Sequence, residues 1–144
     1  EQFDQFVLNG LTEATFSHTN ICIYIINRRP PEVVLRFDGL SFGDVAVSSI
    51  TVAELDYGAA KSGSERNRAA LQKFLAPLEV LPFDDEATRH YGSLRARLER
   101  LGTPIGPLDM LIAAHALALD CVLVTNNVRE FSRVPMLRLE NWVD

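Results

Sequence analysis

Residues 102–131 read GTPIGPLDMLIAAHALALDCVLVTNNVREF, and the fold is legible from this stretch outward. Pro107 suits a first helical position, because its fixed φ matches a helix start and its missing N–H would be unpaired there anyway. Leu108, Leu111, Ile112, Ala113, Ala114, Ala116, Leu117 and Leu119 leave almost no polar face, so this helix is expected to be covered by other elements. One carboxylate, Asp109, stands at its start. Val122, Leu123 and Val124 follow as a short apolar run without alternation, the pattern of a central parallel strand. Ligands of open α/β sheets bind beyond the carboxyl ends of the strands. Thr125, Asn126 and Asn127 would sit at such an end.

The 144 residues are enough for one domain with a proper core. A hydrophobic content of 47% and a charged content of 23% are ordinary for a globular protein. No apolar run approaches the ~20 residues of a membrane span, and there is no signal-peptide pattern, so a cytoplasmic protein with no membrane partner is expected. Cys22 and Cys121 both lie in apolar surroundings and read as reduced core thiols. A net charge of -5 argues against non-specific nucleic-acid binding, which depends on phosphate neutralisation. Of the 14 basic residues, however, only Lys61 and Lys73 are lysines. Arginine is the better bidentate partner for phosphate and carboxylate, which leaves a nucleic-acid substrate or an acidic protein partner open.

Residue 1 is Glu rather than Met, so residues 1–13 read as a segment of uncertain origin, processed or fused, and residues 14–144 as the domain. Phe3, Phe6, Val7 and Leu11 could form one stripe of a short helix there. By propensity, residues 21–26 are a strand. A short helix is expected over 32–37, ending near Gly39, and a strand over 44–48. Helices follow over 52–61 and 64–75, then a strand over 78–83. Asp84, Asp85 and Glu86 place acids in the first turn of a long helix to Arg100, where the dipole favours them. A short strand closes the pattern at 137–139. Strands alternating with helices imply a parallel sheet covered on both faces.

Glu54 has a modest reading as half of a capping box, with Thr51 as the cap three residues earlier. Its other reading is a second carboxylate at a strand's C-terminal end, on the same sheet edge as Asp109. Asp109 likewise could be only an acid in a helix's first turn. Their coincidence beside the polar end of strand 122–124 favours one shared site. Converging carboxylate, hydroxyl and amide oxygens suit a hard divalent cation such as Mg²⁺ or Mn²⁺. The chemistry that calls for such a site is phosphodiester hydrolysis. His90 and His115 lie on helices and read as packing or surface residues. Arg28, Arg29, Arg95 and Arg129 could contact nucleic-acid phosphate, although an arginine on a helix face is usually only solvated.

The chain resembles a PIN-domain ribonuclease of the VapC toxin type. The matching pieces are Thr19-Asn20-Ile21-Cys22-Ile23-Tyr24, then Ser48-Ser49-Ile50-Thr51-Val52-Ala53-Glu54-Leu55 with Tyr57-Gly58. Gly102-Thr103-Pro104-Ile105-Gly106-Pro107-Leu108-Asp109, Leu123-Val124-Thr125-Asn126-Asn127 with Arg129-Glu130-Phe131, and Leu139-Glu140-Asn141-Trp142 complete the series, in family order. The resemblance implies a three-layer α/β/α domain around a mainly parallel sheet, and a helix over 21–27 against the propensity reading. It implies a Mg²⁺-dependent endoribonuclease with Glu54 and Asp109 as metal-site carboxylates. Asn20 and Thr125 match positions that organise the pocket by hydrogen bonds. Asn126 and Asn127 occupy a region where many relatives carry another acid, so the pocket is expected to be less negative. The family's first strand ends in an apolar residue and then a metal-binding Asp; here those positions hold Ser17 and His18. One neutral nitrogen in place of a charged oxygen pair lowers the expected affinity for Mg²⁺.

Relatives are usually dimers that pair with a small antitoxin carrying a DNA-binding region, so a homodimer and such a partner are implied. The rival reading, supported by His18, is a catalytically silent PIN-fold module that only binds the antitoxin. A structure-specific DNA nuclease shares the fold, but the short chain and these motifs disfavour it.

Overall fold

Alternate residues of one strand enter opposite cores. In the computed structural model, which describes residues 15–17, 19–39 and 45–142, Ala46 and Leu123 pack into one apolar cluster, while their neighbours Val47 and Val124 pack into others. That is the signature of a sheet buried on both faces. The strands are β1 (Thr15–Ser17), β2 (Val45–Ser48), β3 (Glu79–Leu81), β4 (Val122–Val124) and β5 (Leu139–Glu140). They are all parallel, in the order β3-β2-β1-β4-β5. Strands β1, β2 and β4 are therefore neighbours, and their carboxyl ends share one edge.

Helices α1 (Thr19–Asn27), α2 (Pro31–Asp38), α3 (Ser49–Ser62) and α4 (Glu65–Leu75) cover the face reached by Val47 and Val124. Helices α5 (Asp85–Leu101) and α6 (Pro107–Leu119) cover the other, through Leu94, Leu98, Ile112 and Ala113. A short helix, α7 (Val128–Phe131), follows β4 and anchors Phe131 in the core. The three-layer α/β/α arrangement matches the expectation. The segment 1–13 and His18 lie outside the described residues, as do the side chains of Ser17 and Asn20.

Two local expectations are corrected, while the helix that the resemblance implies over 21–27 is present in place of the strand that propensity alone suggests: Ile21, Cys22 and Ile25 lie on one helical face and all three are buried, so packing overrides propensity. The helix expected from Val52 begins at Ser49. Its cap is Ser48, whose Oγ accepts the Ile50 N–H at 3.0 Å, and Thr51 lies inside the first turn with its buried hydroxyl unpartnered among the described residues. The capping-box reading of Glu54 therefore fails. Finally, α6 is covered less completely than its sequence suggests: Leu108 is 46% exposed, beside Asp109.

Other helix ends follow the expected chemistry. Asp84 caps α5 by accepting the Ala87 N–H at 3.1 Å. Gly102 ends α5 at φ 70°, a left-handed conformation that costs glycine nothing. Cys22 and Cys121 are buried and not joined in a disulfide, and burial pushes the pKa of each thiol up, which disfavours the reactive thiolate. Among the described residues, no helix is long and apolar enough to cross a membrane.

Candidate active site

Helix α6 feeds β4 in a parallel sheet, so its N-terminus must start near the carboxyl edge at which β4 ends. That placement brings Asp109, in the first turn of α6, next to the residues after β4. Thr125 is buried, and its Oγ1 accepts the Asn127 N–H at 2.9 Å, turning the chain sharply out of the strand. One helical turn later comes Glu130. Its Oε1 accepts from Asn127 Nδ2 at 3.1 Å and its Oε2 from the Gly106 N–H at 3.0 Å. A Cβ added to Gly106 would lie 3.7 Å from Glu130 Oε2 and 4.0 Å from Asp109 Oδ2, so both carboxyl groups border this one glycine.

The Glu130 pKa is raised, first by a hydrogen bond shared with Asp109, then by partial burial; the Gly106 N–H and Arg133 oppose the rise. Two neighbouring carboxyls cannot both ionise freely, and a shared proton is one relief. A divalent cation is another. The donors are all oxygen, held from α6 and α7, which is the chemistry Mg²⁺ and Mn²⁺ prefer. The residues present thus fit such an ion.

Glu130 is the residue that sequence reasoning passes over. The two asparagines at 126 and 127 are expected to leave the pocket less negative, but an acid arrives from Glu130 instead, and Asn127 orients it. The signal is the spacing: Asn127 and Glu130 are three residues apart, so they share a helix face.

Glu54 lies on α3, the helix that follows β2. It is half-buried and lines a groove of about 700 Å³ with Ile23, Asn27, Leu55, Leu71 and Arg66. Among the described residues, no three Asp, Glu, His or Cys side chains converge as a metal site. Asp109 and Glu130 are the carboxylates brought together, and Glu54 stands in the groove on the α3 side. Asn126 is half-buried at the end of β4. Of the arginines, Arg28 pairs with Asp38 at 3.1 Å, and Arg95 with Glu99 at 3.1 Å, as exposed ion pairs. His90 is half-buried on α5, its Nδ1 3.0 Å from the Glu86 carbonyl, in keeping with a packing role.

His115 is 1% exposed, with Nδ1 2.8 Å from Ser48 Oγ and its ring edge-on to Phe83. Burial lowers its pKa from 6.5 to about 4, against an opposing pull from Asp84 and a backbone hydrogen bond to Pro82. The unfolded chain thus takes up the proton first. The stability gained by keeping His115 neutral is whole above pH 6.5 and is lost as the pH falls towards about 4. Over that window the loss is expected to be on the order of 3 kcal/mol. Urea unfolding at a series of pH values should show it in the native chain and not in His115→Phe; parallel pH curves for the two would remove His115 as the cause.

The PIN domain family model matches residues 18–137. The chain is 48% identical over 125 residues to the tRNA(fMet)-specific endonuclease VapC of Salmonella typhimurium, covering 86% of this chain and 94% of the relative. It is 50% identical over 126 residues to ribonuclease VapC2 of Haemophilus influenzae, covering 87% and 95%. The crystal structure of DNA-bound VapBC from Salmonella typhimurium superposes with a TM-score of 0.86 at 45% identity, over 92% of this chain and 100% of that one. The chain belongs to the PIN-domain family and, within it, to the VapC ribonucleases, the toxins of VapBC toxin–antitoxin pairs.

Proposed function

We propose that this chain is a Mg²⁺- or Mn²⁺-dependent endoribonuclease in which Asp109 and Glu130 hold the ion and Glu54 completes the acidic edge. The observation that carries the reading is the pair of carboxyls around Gly106 at the carboxyl edge of the sheet, in a chain of this family. The ion would supply Lewis-acid activation of the phosphodiester and of water. The chain's own part is positional. The Gly106 N–H and Asn127 Nδ2 fix both oxygens of Glu130, and Thr125 fixes the turn that presents Asn127. This is support of the kind that orients a ligand before the ion arrives.

The substrate to test first is initiator tRNA, tRNA(fMet), the RNA named for the Salmonella relative. Purified chain with Mg²⁺ or Mn²⁺ is expected to cut it endonucleolytically. Intact tRNA(fMet) and intact total RNA with either ion would instead favour the silent, antitoxin-binding module. The setting proposed is the cytoplasm, with the chain as a homodimer.

The proposed partner is a small antitoxin with a DNA-binding region. The groove beside Glu54 has an apolar floor of Ile23, Ile26, Leu55 and Leu71, suited to an apolar segment of such a partner. An arginine from that segment would relieve carboxylate repulsion through charge-assisted hydrogen bonds. Asp109→Ala is then expected to weaken the complex by about tenfold or more, the worth of a hydrogen bond to a charged group. Unchanged affinity in both Glu54→Ala and Asp109→Ala, measured by calorimetry, would rule out arginine insertion.

A further inference from the structure

The Asp109 and Glu54 carboxylates ride on different helices, α6 and α3, and one buried polar link ties those helices together. His115, on α6, meets Ser48 Oγ at 2.8 Å, and Ser48 is the cap of α3. Every polar atom in the link has a role. Ser48 Oγ accepts the Ile50 N–H; with the His115 ring neutral and its N–H given to the Pro82 backbone, Nδ1 is left to accept from the Ser48 hydroxyl. The same junction is held from the β3 side, where the Phe83 N–H donates to Ser49 Oγ at 3.1 Å while the Phe83 ring packs edge-on against His115, with centroids 5.4 Å apart. An apolar side chain could fill the His115 volume, but it could not specify where the first turn of α3 sits. Directional bonds do that, and a fully satisfied buried polar network rigidifies its surroundings.

We propose that His115 is a positioning residue: through the Ser48 hydroxyl it sets the α3 helix, and Glu54 on it, in register with Asp109 on α6. The inference rests on the ribonuclease reading above. Neither ring nitrogen is free for substrate or metal, so His115 acts only through Ser48.

The test uses Ser48→Ala, His115→Phe and the double variant. It reads kcat and KM for RNA cleavage at saturating Mg²⁺ and, separately, Mn²⁺ affinity by titration calorimetry without RNA. Each single variant is expected to lose about ten- to a hundredfold in kcat and in Mn²⁺ affinity, as when support of a ligand is removed. KM for RNA should stay within about twofold, and the double variant should be no worse than the poorer single, because both substitutions break one link. A folded single variant with wild-type kcat and wild-type Mn²⁺ affinity would overturn the proposal, whatever its melting temperature. So would losses that multiply in the double variant. A wild-type chain that cleaves no RNA would end the ribonuclease reading, and the Mn²⁺ affinities would then decide the role of His115 by themselves. If His115→Phe does not fold, Ser48→Ala decides by the same two readouts.

Discussion

Asp109→Asn is expected to reduce RNA cleavage by on the order of a thousandfold, the equivalent of the several kcal/mol that metal-ion activation contributes. The same substitution is expected to make the metal-free protein more stable at neutral pH. Glu130 shares a hydrogen bond with Asp109, and this contact raises its pKa in the folded state. A group with a raised folded pKa contributes stability below its unfolded value, 4.5, and that stability is lost as the pH climbs through the folded value. The pair is therefore less favourable to the fold at neutral pH than at low pH. The uncharged amide introduced by Asp109→Asn removes the repulsion and can still donate a hydrogen bond to Glu130. A gain of about 2–4 °C in melting temperature corresponds to about 1 kcal/mol in a chain of this size. Mg²⁺ should raise the melting temperature of the native chain and leave that of Asp109→Asn nearly unchanged. Melting curves at pH 4 and pH 7, with and without Mg²⁺, check both parts. Cleavage within a few-fold of wild type, or a variant still stabilised by Mg²⁺, would remove Asp109 from the site.

The stabilising sign separates a functional carboxylate pair from a structural one. A structural acid in a helix's first turn favours the dipole and loses stability when neutralised. Asp109 has that simple role available to it, since it stands in the first turn of α6, and yet its side chain lies where it meets another carboxyl. Local conflict of this kind is what functional sites cost a fold.

The fold was largely readable because its central elements carry strong, local signals. Pro107 and the apolar run behind it fix α6, and Val122 to Val124 fix a strand buried on both faces. Where the sequence misled, the deciding interactions were long-range. Residues 21–26 have every local preference for a strand, and only the family motif pointed to the helix that buries Ile21, Cys22 and Ile25 together. Thr51 has the look of a cap, but Ser48 takes that place, three residues earlier, and its hydroxyl is also held by a histidine 67 residues away in sequence. Glu130 was hidden for a related reason. Its neighbours Asn126 and Asn127 mark the end of β4, but Glu130 acquires its meaning only when Gly106, 24 residues earlier in the chain, donates to it. That Asp109 opens the helix leading into β4 was open to inference from connectivity alone; its pairing with Glu130 was not.

Replacing His18 with Asp is expected to raise Mg²⁺ affinity on the order of tenfold or more, with a parallel gain in cleavage at limiting Mg²⁺, since each tenfold corresponds to about 1.4 kcal/mol. The argument rests on the chain order and the sheet register. His18 directly follows Ser17, the last residue of β1, and Ser17 pairs with Val124, the residue before Thr125. On its other side β1 pairs with β2, whose end leads into the Glu54 helix. Strand β1 thus lies in the sheet between β2 and β4, and the residue that follows it in the chain is the one for which the family resemblance calls for Asp. Aspartate would bring a hard, charged oxygen donor to an ion that binds imidazole poorly. Mn²⁺, which tolerates nitrogen better, should show the smaller gain of the two. Titration calorimetry with each ion on the native chain and on His18→Asp gives the comparison directly. Equal Mg²⁺ affinity in both would mean that position 18 takes no part in metal binding, and that Asp109, Glu130 and Glu54 hold the ion without a ligand from the first strand.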